Sequence, residues 1–288
     1  MAISSPTADA AVPALPPLSE AIVQDRRLCW REAGTGPALV FLHGLSGSSA
    51  SWRYQFAAFA DRMRVIAWDA PGYGGSDPFA AAAGEPVPAT YVAALAGLLR
   101  HLGARDITLV GHSMGGVLAA TLAAAGEVPL LRLVLSSTHP GYAAPAGSPA
   151  SPGLAERLAQ LASLSPAEYG ARRAAGMVAP RASAAVRELV AGAAAEARPE
   201  GLFAATRMLQ FADIRPILPK LALPVLVLDG DEDRVVRPDL RAELLALTPA
   251  TSHRTLAGVG HAAYLENANA YNAALADFLA LTGNARRA

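Results

Sequence analysis

Ile107-Thr-Leu-Val-Gly-His-Ser-Met-Gly-Gly-Val117 decides how this chain folds. Residues 107–110 are apolar or β-branched, as a buried strand requires, and the alanine-rich stretch from Val117 to Ala125 has the composition of a helix. Between them Gly111-His-Ser-Met-Gly115 is a Gly-x-Ser-x-Gly turn. A chain that goes from strand to helix through so tight a turn tolerates only glycine-sized neighbours, and the serine hydroxyl is thrown out beyond the sheet. Ser113 is therefore the candidate nucleophile.

A serine hydroxyl is a weak nucleophile near neutral pH and needs a histidine base that is itself oriented by an acid. Candidates for both follow apolar runs downstream, in Leu223-Pro-Val-Leu-Val-Leu-Asp-Gly-Asp-Glu-Asp-Arg-Val-Val236 and Gly258-Val-Gly-His-Ala-Ala-Tyr-Leu-Glu-Asn267. Asp229 closes the first run, and Asp231 and Glu232 lie on the turn that Gly230 permits. Asp233, just before Val235-Val236, is assigned as the acid, with Asp231 the alternative. His261, in a loop with glycines at 258 and 260, is assigned as the base. Acyl transfer also needs two backbone N–H groups aimed at the oxygen that becomes negative. Met114, directly after the nucleophile, is one expected donor. Leu45 is the other, because Ala38-Leu-Val-Phe-Leu-His-Gly-Leu45 is an apolar strand running into a small-residue loop.

Strand-like runs recur at about 28–33, 38–42, 64–68, 107–111, 131–137, 223–229 and 253–257. Helical patterns lie near 51–61, 89–103, 114–126, 239–247 and 267–281. This alternation predicts a mostly parallel central sheet covered by helices, with an antiparallel hairpin at its start. Ligands bind such sheets at the carboxyl ends of the strands, where all the candidates fall. From His139 to about Leu218 the alternation stops, which predicts a helical cap at 139–218 between the sixth and seventh strands. The core is then 19–138 and 219–288, and 1–18 is an N-terminal arm rich in Ala and Pro. Met177, Phe203, Met208 and Phe211 are candidate cap residues facing a substrate. Arg172, Arg173 and Arg207 are candidates to hold a substrate carboxylate through bidentate pairing.

His43-Gly44 with Trp52 after the third strand, Asp69-Ala-Pro-Gly-Tyr-Gly-Gly-Ser-Asp77 after the fourth, Gly111 to Gly115 after the fifth, Asp233, and Gly260-His261 stand in one order. Together they resemble the α/β-hydrolase superfamily over nearly the whole chain, and the nearest groups are bacterial enol-lactonases, esterases and ring-cleavage-product hydrolases. Ala212-Asp-Ile-Arg-Pro216 resembles the end of their cap. The resemblance implies an α/β-hydrolase fold and cleavage of a small carboxylic ester or enol-lactone through an acyl-enzyme, in aromatic-compound catabolism. Alternatives are a carbon–carbon hydrolase of ring-cleavage products, a cofactor-free perhydrolase, and a non-catalytic ligand-binding protein on the same fold. The first is disfavoured because Leu45-Ser-Gly-Ser-Ser49 is not the Gly-rich stretch those relatives carry after His-Gly. Dehalogenases and epoxide hydrolases would need an aspartate at position 113. His43, Trp52 and His139 are expected to support or line the substrate site, and His112 to pack beneath the turn. Asp69 and Asp77 are expected to stabilise the loop after the fourth strand.

The chain has 288 residues, 52% of them hydrophobic. That is enough for one large core. Its 24 basic and 24 acidic residues balance without a basic block, so no nucleic-acid or anionic-membrane partner is expected. The expected ligand is a small molecule, bound by a monomer or homo-oligomer. No metal-ligand spacing and no phosphate loop are present, so neither a metal nor a cofactor is expected. A single cysteine, Cys29, permits no intrachain disulfide. The start lacks a basic segment followed by an apolar run, and a cytoplasmic location is the expectation.

Overall fold

Strands buried on both faces read as continuous apolar runs, and the computed structural model, which describes residues 12–80, 87–145, 147–248 and 251–284, forms strands where those runs occur. They are β2 (Arg26–Ala33), β3 (Ala38–Leu42), β4 (Arg64–Asp69), β5 (Ile107–His112), β6 (Leu130–Ser136), β7 (Val225–Gly230) and β8 (Thr251–Leu256). Every residue of β3, β5 and β7 is buried. β8 begins two residues earlier than its apolar signal suggests. It is the polar edge of the sheet, with Ser252 to Thr255 exposed.

An eighth strand, β1 (Leu18–Val23), supplies the expected hairpin with β2. Its turn residues Gln24 and Asp25 both have positive φ, 51° and 60°. Positive φ at both central positions is the backbone of a two-residue hairpin turn. Of the expected N-terminal arm, residues 1–11 lie outside the described residues. Residues 12–17 lie against the core, where the carbonyl oxygens of Pro13 and Pro16 accept hydrogen bonds from Arg53 and Arg31.

The sheet order is β1-β2-β4-β3-β5-β6-β7-β8. β2 runs opposite to both its neighbours, β1 and β4, and every pairing from β4 to β8 is parallel. Strand order reverses at β3, which has β4 on one side and β5 on the other. A crevice opens at such a switch point because the connections leave in opposite directions. The loops carrying Leu45 and Ser113 are those of β3 and β5. The helices α2 (Pro88–His101), α3 (Met114–Ala125) and α8 (Pro238–Leu247) agree with the sequence pattern. The pattern near 51–61 resolves into a 3-10 turn at Ser49–Trp52 followed by α1 (Arg53–Phe59). The last pattern becomes the short α9 (Ala263–Glu266) and α10 (Ala268–Asn284).

Among the described residues the interval between β6 and β7 holds four α-helices, α4 (Pro152–Ser163), α5 (Pro166–Met177), α6 (Ala184–Ala195) and α7 (Pro199–Phe211), and a short 3-10 turn at Leu218–Lys220. Their starts are written in the sequence. Ser151, Ser165 and Ser183 accept N–H groups of the first turn, and proline fills an early position of α4, α5 and α7. There its missing N–H costs nothing. The cap seats on the core at a glycine pair: a Cβ on Gly201 of α7 would lie 2.1 Å from the Gly72 carbonyl oxygen in the loop after β4.

The elbow is as crowded. A Cβ on Gly115 would lie 2.3 Å from the Leu42 carbonyl oxygen, and the obstacle is backbone of β3 that cannot step aside. Gly115→Ala should therefore lower stability by about 2–3 kcal/mol, the scale of an overpacked core. At Gly192, within α6, nothing lies within 4 Å of an added Cβ. Gly192→Ala should raise stability by up to about 1 kcal/mol. Chemical denaturation of the two variants checks the pair, and a Gly115→Ala protein as stable as its parent would contradict the elbow packing.

Candidate active site

Ser113 sits between β5 and α3 with φ 54° and ψ −115°. L side chains rarely adopt that conformation. It is held there from both sides. Its N–H donates to the Ser136 carbonyl at 2.8 Å, and its own carbonyl accepts the Gly116 N–H at 2.9 Å. Met114 is the first residue of α3, so its N–H has no acceptor within the helix. Leu45 lines the same cavity as Ser113 from the loop after β3. The two expected oxyanion donors thus belong to the loops that flank the switch point.

The acidic loop after β7 distributes its carboxylates among separate partners. Asp229 accepts from Arg241 at 3.3 Å and lies 3.1 Å from His253. Asp231 accepts the Gly258 N–H at 2.6 Å, and Glu232 is paired with Arg181. Asp233 remains for His261, with Oδ2 2.9 Å from Nδ1. Its other oxygen accepts the N–H groups of Val235 and Val236 at 2.8 and 3.1 Å. Burial opposes the charged carboxylate, but the hydrogen bond and charge of His261 and the two N–H groups outweigh it and bring the Asp233 pKa down to about 2. An ionised carboxylate can only accept, so the proton of neutral His261 is on Nδ1. Nε2 is left with its lone pair free, as a general base requires.

The loop carrying His261 is fastened from beneath and from the cap. His112 Nε2–H donates to the His261 carbonyl at 2.9 Å, its ring packs 4.6 Å from the His261 ring, and burial and the nearby His261 push its pKa down to about 3. The expected packing role of His112 under the turn is what the geometry shows. The His261 N–H donates to the Met177 carbonyl at the end of α5, at 2.7 Å. Glu266 clamps both segments, accepting the Gly260 N–H at 2.9 Å and the Ala179 N–H at 2.8 Å. Nothing in the sequence near Glu266 distinguishes it from an ordinary first-turn helix acid.

His43 does not line the cavity. Ala70 N–H donates to its Nε2 at 3.1 Å and its Nδ1–H donates to the Gly44 carbonyl at 2.8 Å, so both nitrogens are spent joining the loops after β3 and β4. Asp69 does related work, accepting the Ser49 N–H at 2.6 Å, and Asp77 pairs with Arg27 at 2.9 Å. Trp52, expected at the substrate, is instead fully buried between the rings of Phe41 and Tyr264, 4.6 and 4.7 Å away. Cys29 is buried in β2, and burial, with Asp69 adding to it, raises its thiol pKa to about 11. A thiol so placed is an inert core residue.

Two compartments meet at Ser113. A narrow crevice is lined by Leu45, Ser113, Arg157, Arg173, Met177 and His261. A larger chamber of about 370 Å³ is lined mainly by residues from the segment between β6 and β7, with Tyr142, Leu154 and Leu209 beside the polar His139, Arg157, Thr206 and Gln210, and by Val235. His139, Arg173 and Met177, candidates for substrate contact, line these compartments. His139 accepts the Gly141 N–H at 3.0 Å, and burial, with His261 beside it, lowers its pKa to about 4. Met208 is a fully buried core residue, and Phe211 lies under the Arg207 guanidinium, 4.6 Å from its ring centre, outside both compartments. Phe203 is exposed, Arg172 is exposed beside Glu156, and Arg207 donates to the Ser148 carbonyl at 3.0 Å. These expectations fail for one reason: helical spacing marks an amphipathic face without saying which neighbour it meets. Sequence reasoning missed Arg157, although it sits one helical turn beyond the buried Leu154 and so on the same face of α4. A depression of about 560 Å³ near Arg100–Asp106 and Glu127–Pro129 opens at the other end of the sheet, away from Ser113.

A serine on a strained strand-to-helix turn and a histidine–carboxylate pair on later strand ends thus lie together beside the helices inserted between β6 and β7. The chain belongs to the family described as alpha/beta hydrolase fold, whose model matches residues 37–268. It is 27% identical over 256 residues to the pimeloyl-[acyl-carrier protein] methyl ester esterase of Vibrio cholerae serotype O1, covering 87% of this chain and 97% of that one. Among solved structures it is similar to a thermophilic esterase from Thermogutta terrifontis, with TM-score 0.78, 25% identity, and 92% and 99% of the two chains covered. An enol-lactonase from Burkholderia xenovorans LB400 shares the fold at TM-score 0.78 and 22% identity, covering 91% of this chain and all of that one. Among the described residues no helix is long and apolar enough to cross a membrane.

Proposed function

We propose that this protein hydrolyses a small carboxylic ester or lactone through a covalent acyl-enzyme on Ser113. The observation that carries the reading is the 2.9 Å contact of Asp233 with His261, which leaves His261 Nε2 basic in the crevice that Ser113 also lines. Ser113 Oγ attacks the carbonyl carbon as its proton passes to Nε2. The Leu45 and Met114 N–H groups hold the resulting oxyanion, and the ionised Asp233 stabilises the imidazolium. Collapse expels the alkoxide, which takes the proton from His261 and leaves as the alcohol. Water, deprotonated by the same nitrogen, then attacks the acyl ester and restores Ser113. The apolar chamber beside Ser113 accommodates a substrate chain, and likeness to esterases supports an ester as the bond cleaved. An enol-lactone from aromatic catabolism is one member of this class.

The direct test combines a short-chain chromogenic ester with a fluorophosphonate probe. A burst equal to the enzyme concentration, and a probe adduct that peptide mapping places on Ser113, are the expected results. A folded protein that shows neither would overturn the acyl-enzyme.

A further inference from the structure

Two arginines of the helices between β6 and β7 reach the cavity, and among the described residues no carboxylate hydrogen-bonds or pairs with either within 4 Å. Arg157 of α4 and Arg173 of α5 both line the crevice at Ser113, and Arg157 also faces the chamber. Arg157 Nη1 and Arg173 Nε are buried with no hydrogen-bond partner, and so are the hydroxyls of Tyr169, one turn before Arg173 on α5, and Tyr73, in the loop after β4. Tyr169 and Tyr73 are 1% and 3% exposed. The charge of Arg157 reaches both hydroxyls, and that of Arg173 reaches the Tyr169 hydroxyl one turn away on the same helix. The neighbouring acid Glu156 is largely exposed and contacts Arg172 at 3.9 Å.

All four groups can donate, while the guanidiniums can accept nothing. A donor left unpaired in a protein interior costs about 1–3 kcal/mol, and two like charges drawn out of water repel as well. Burial and the charge of Arg157 indeed push the Arg173 pKa below its usual value. Other cap arginines do not share this condition: Arg187 and Arg198 donate to backbone carbonyls and Arg181 pairs with Glu232. A cluster of unmet donors beside a nucleophile is satisfied by an acceptor that arrives with the substrate.

We propose that Arg157 and Arg173 bind a carboxylate on the substrate, so that the preferred substrate is an anionic ester or lactone bearing a second, free carboxyl group. This rests on the ester-hydrolase reading and adds the substrate class. The planar guanidiniums match a carboxylate in bidentate fashion. The cluster recognises a part of the substrate that does not react, and its effect should fall chiefly on KM.

The probes are monoethyl succinate and monoethyl adipate against their neutral diethyl esters, with ethyl phosphate added to separate carboxylate from phosphate recognition. Wild-type protein should prefer a half-ester in kcat/KM, and Arg173→Met and Arg157→Met should each cut that preference roughly ten- to hundredfold, the range for a hydrogen bond to a charged group. Arg173→Lys should retain part of it. Calorimetric titration of Ser113→Ala protein with the half-esters reads binding without turnover and should show the same losses. Arg173→Met should also melt no lower than wild type without ligand, since it removes a half-buried charge whose Nε is unmet and which lies near the charge of Arg157. Equal kcat/KM for half-esters and diesters, or arginine variants that bind half-esters as wild type does, would overturn the carboxylate site and leave ester hydrolysis intact. Ethyl phosphate bound tighter than the half-esters would also overturn it, in favour of a phosphate. Arginine-dependent half-ester binding in a protein that turns over no ester would uphold the site and sink the hydrolase reading.

Discussion

Ser113→Ala is expected to reduce ester turnover by about a millionfold, the scale at which a triad serine is lost, leaving only what the oxyanion donors and binding contribute. The fold should not suffer. The Ser113 side chain is not a core element, and what its residue supplies to the structure is backbone: an N–H to Ser136 and a carbonyl to Gly116. Alanine keeps both bonds and keeps the strain of φ 54°. Glycine would relieve that strain, so Ser113→Gly should be as inactive as Ser113→Ala and more stable by about 1 kcal/mol. Steady-state rates and melting curves of the two variants check both halves. More than a hundredth of wild-type activity in either would move the nucleophile elsewhere, and equal melting points would mean that the elbow is not strained.

Asp233→Asn should cost about ten-thousandfold in kcat, because it reverses the tautomer of the base. The direction follows from the second oxygen. With the Val235 and Val236 N–H groups donating to it, the asparagine must leave its carbonyl oxygen there and present its NH₂ to His261. Nδ1 then accepts, the ring proton moves to Nε2, and the nitrogen that should take the serine proton already holds one. Asp231→Asn should change the rate by only a fewfold, since Asp231 serves the Gly258 N–H instead. A larger loss at 231 than at 233 would transfer the role of acid.

These two expectations differ in how much sequence alone could support them. Ser113 is legible because the elbow is a local device: its glycines, its strand and its helix are contiguous. The strand ends are legible too, since a parallel sheet buried on both faces demands unbroken apolar runs such as Ala38–Leu42 and Val225–Leu228. β1 was less so, with only Val23 buried, because an edge hairpin needs little apolar surface. Asp233 was one of four neighbouring acids, and what tells them apart is remote: Arg241, His253, Gly258, Arg181 and His261 each claim one.

By itself the amino-acid order determined the candidate nucleophile, the candidate base, the serial arrangement of strands and helices and the interval in which the sheet pattern stops, all of which depend on local crowding, capping and burial over a few consecutive residues. The tertiary structure alone decided that Asp233 faces His261 while Asp231 does not, that Trp52, Met208 and Phe211 are core or outside the cavity, and that Arg157 joins Arg173 within it. The physical reason is that a cap helix shows an apolar face in its sequence but not the rotation at which it docks, and that rotation is set by distant contacts such as Gly201 on Gly72 and Met177 on His261.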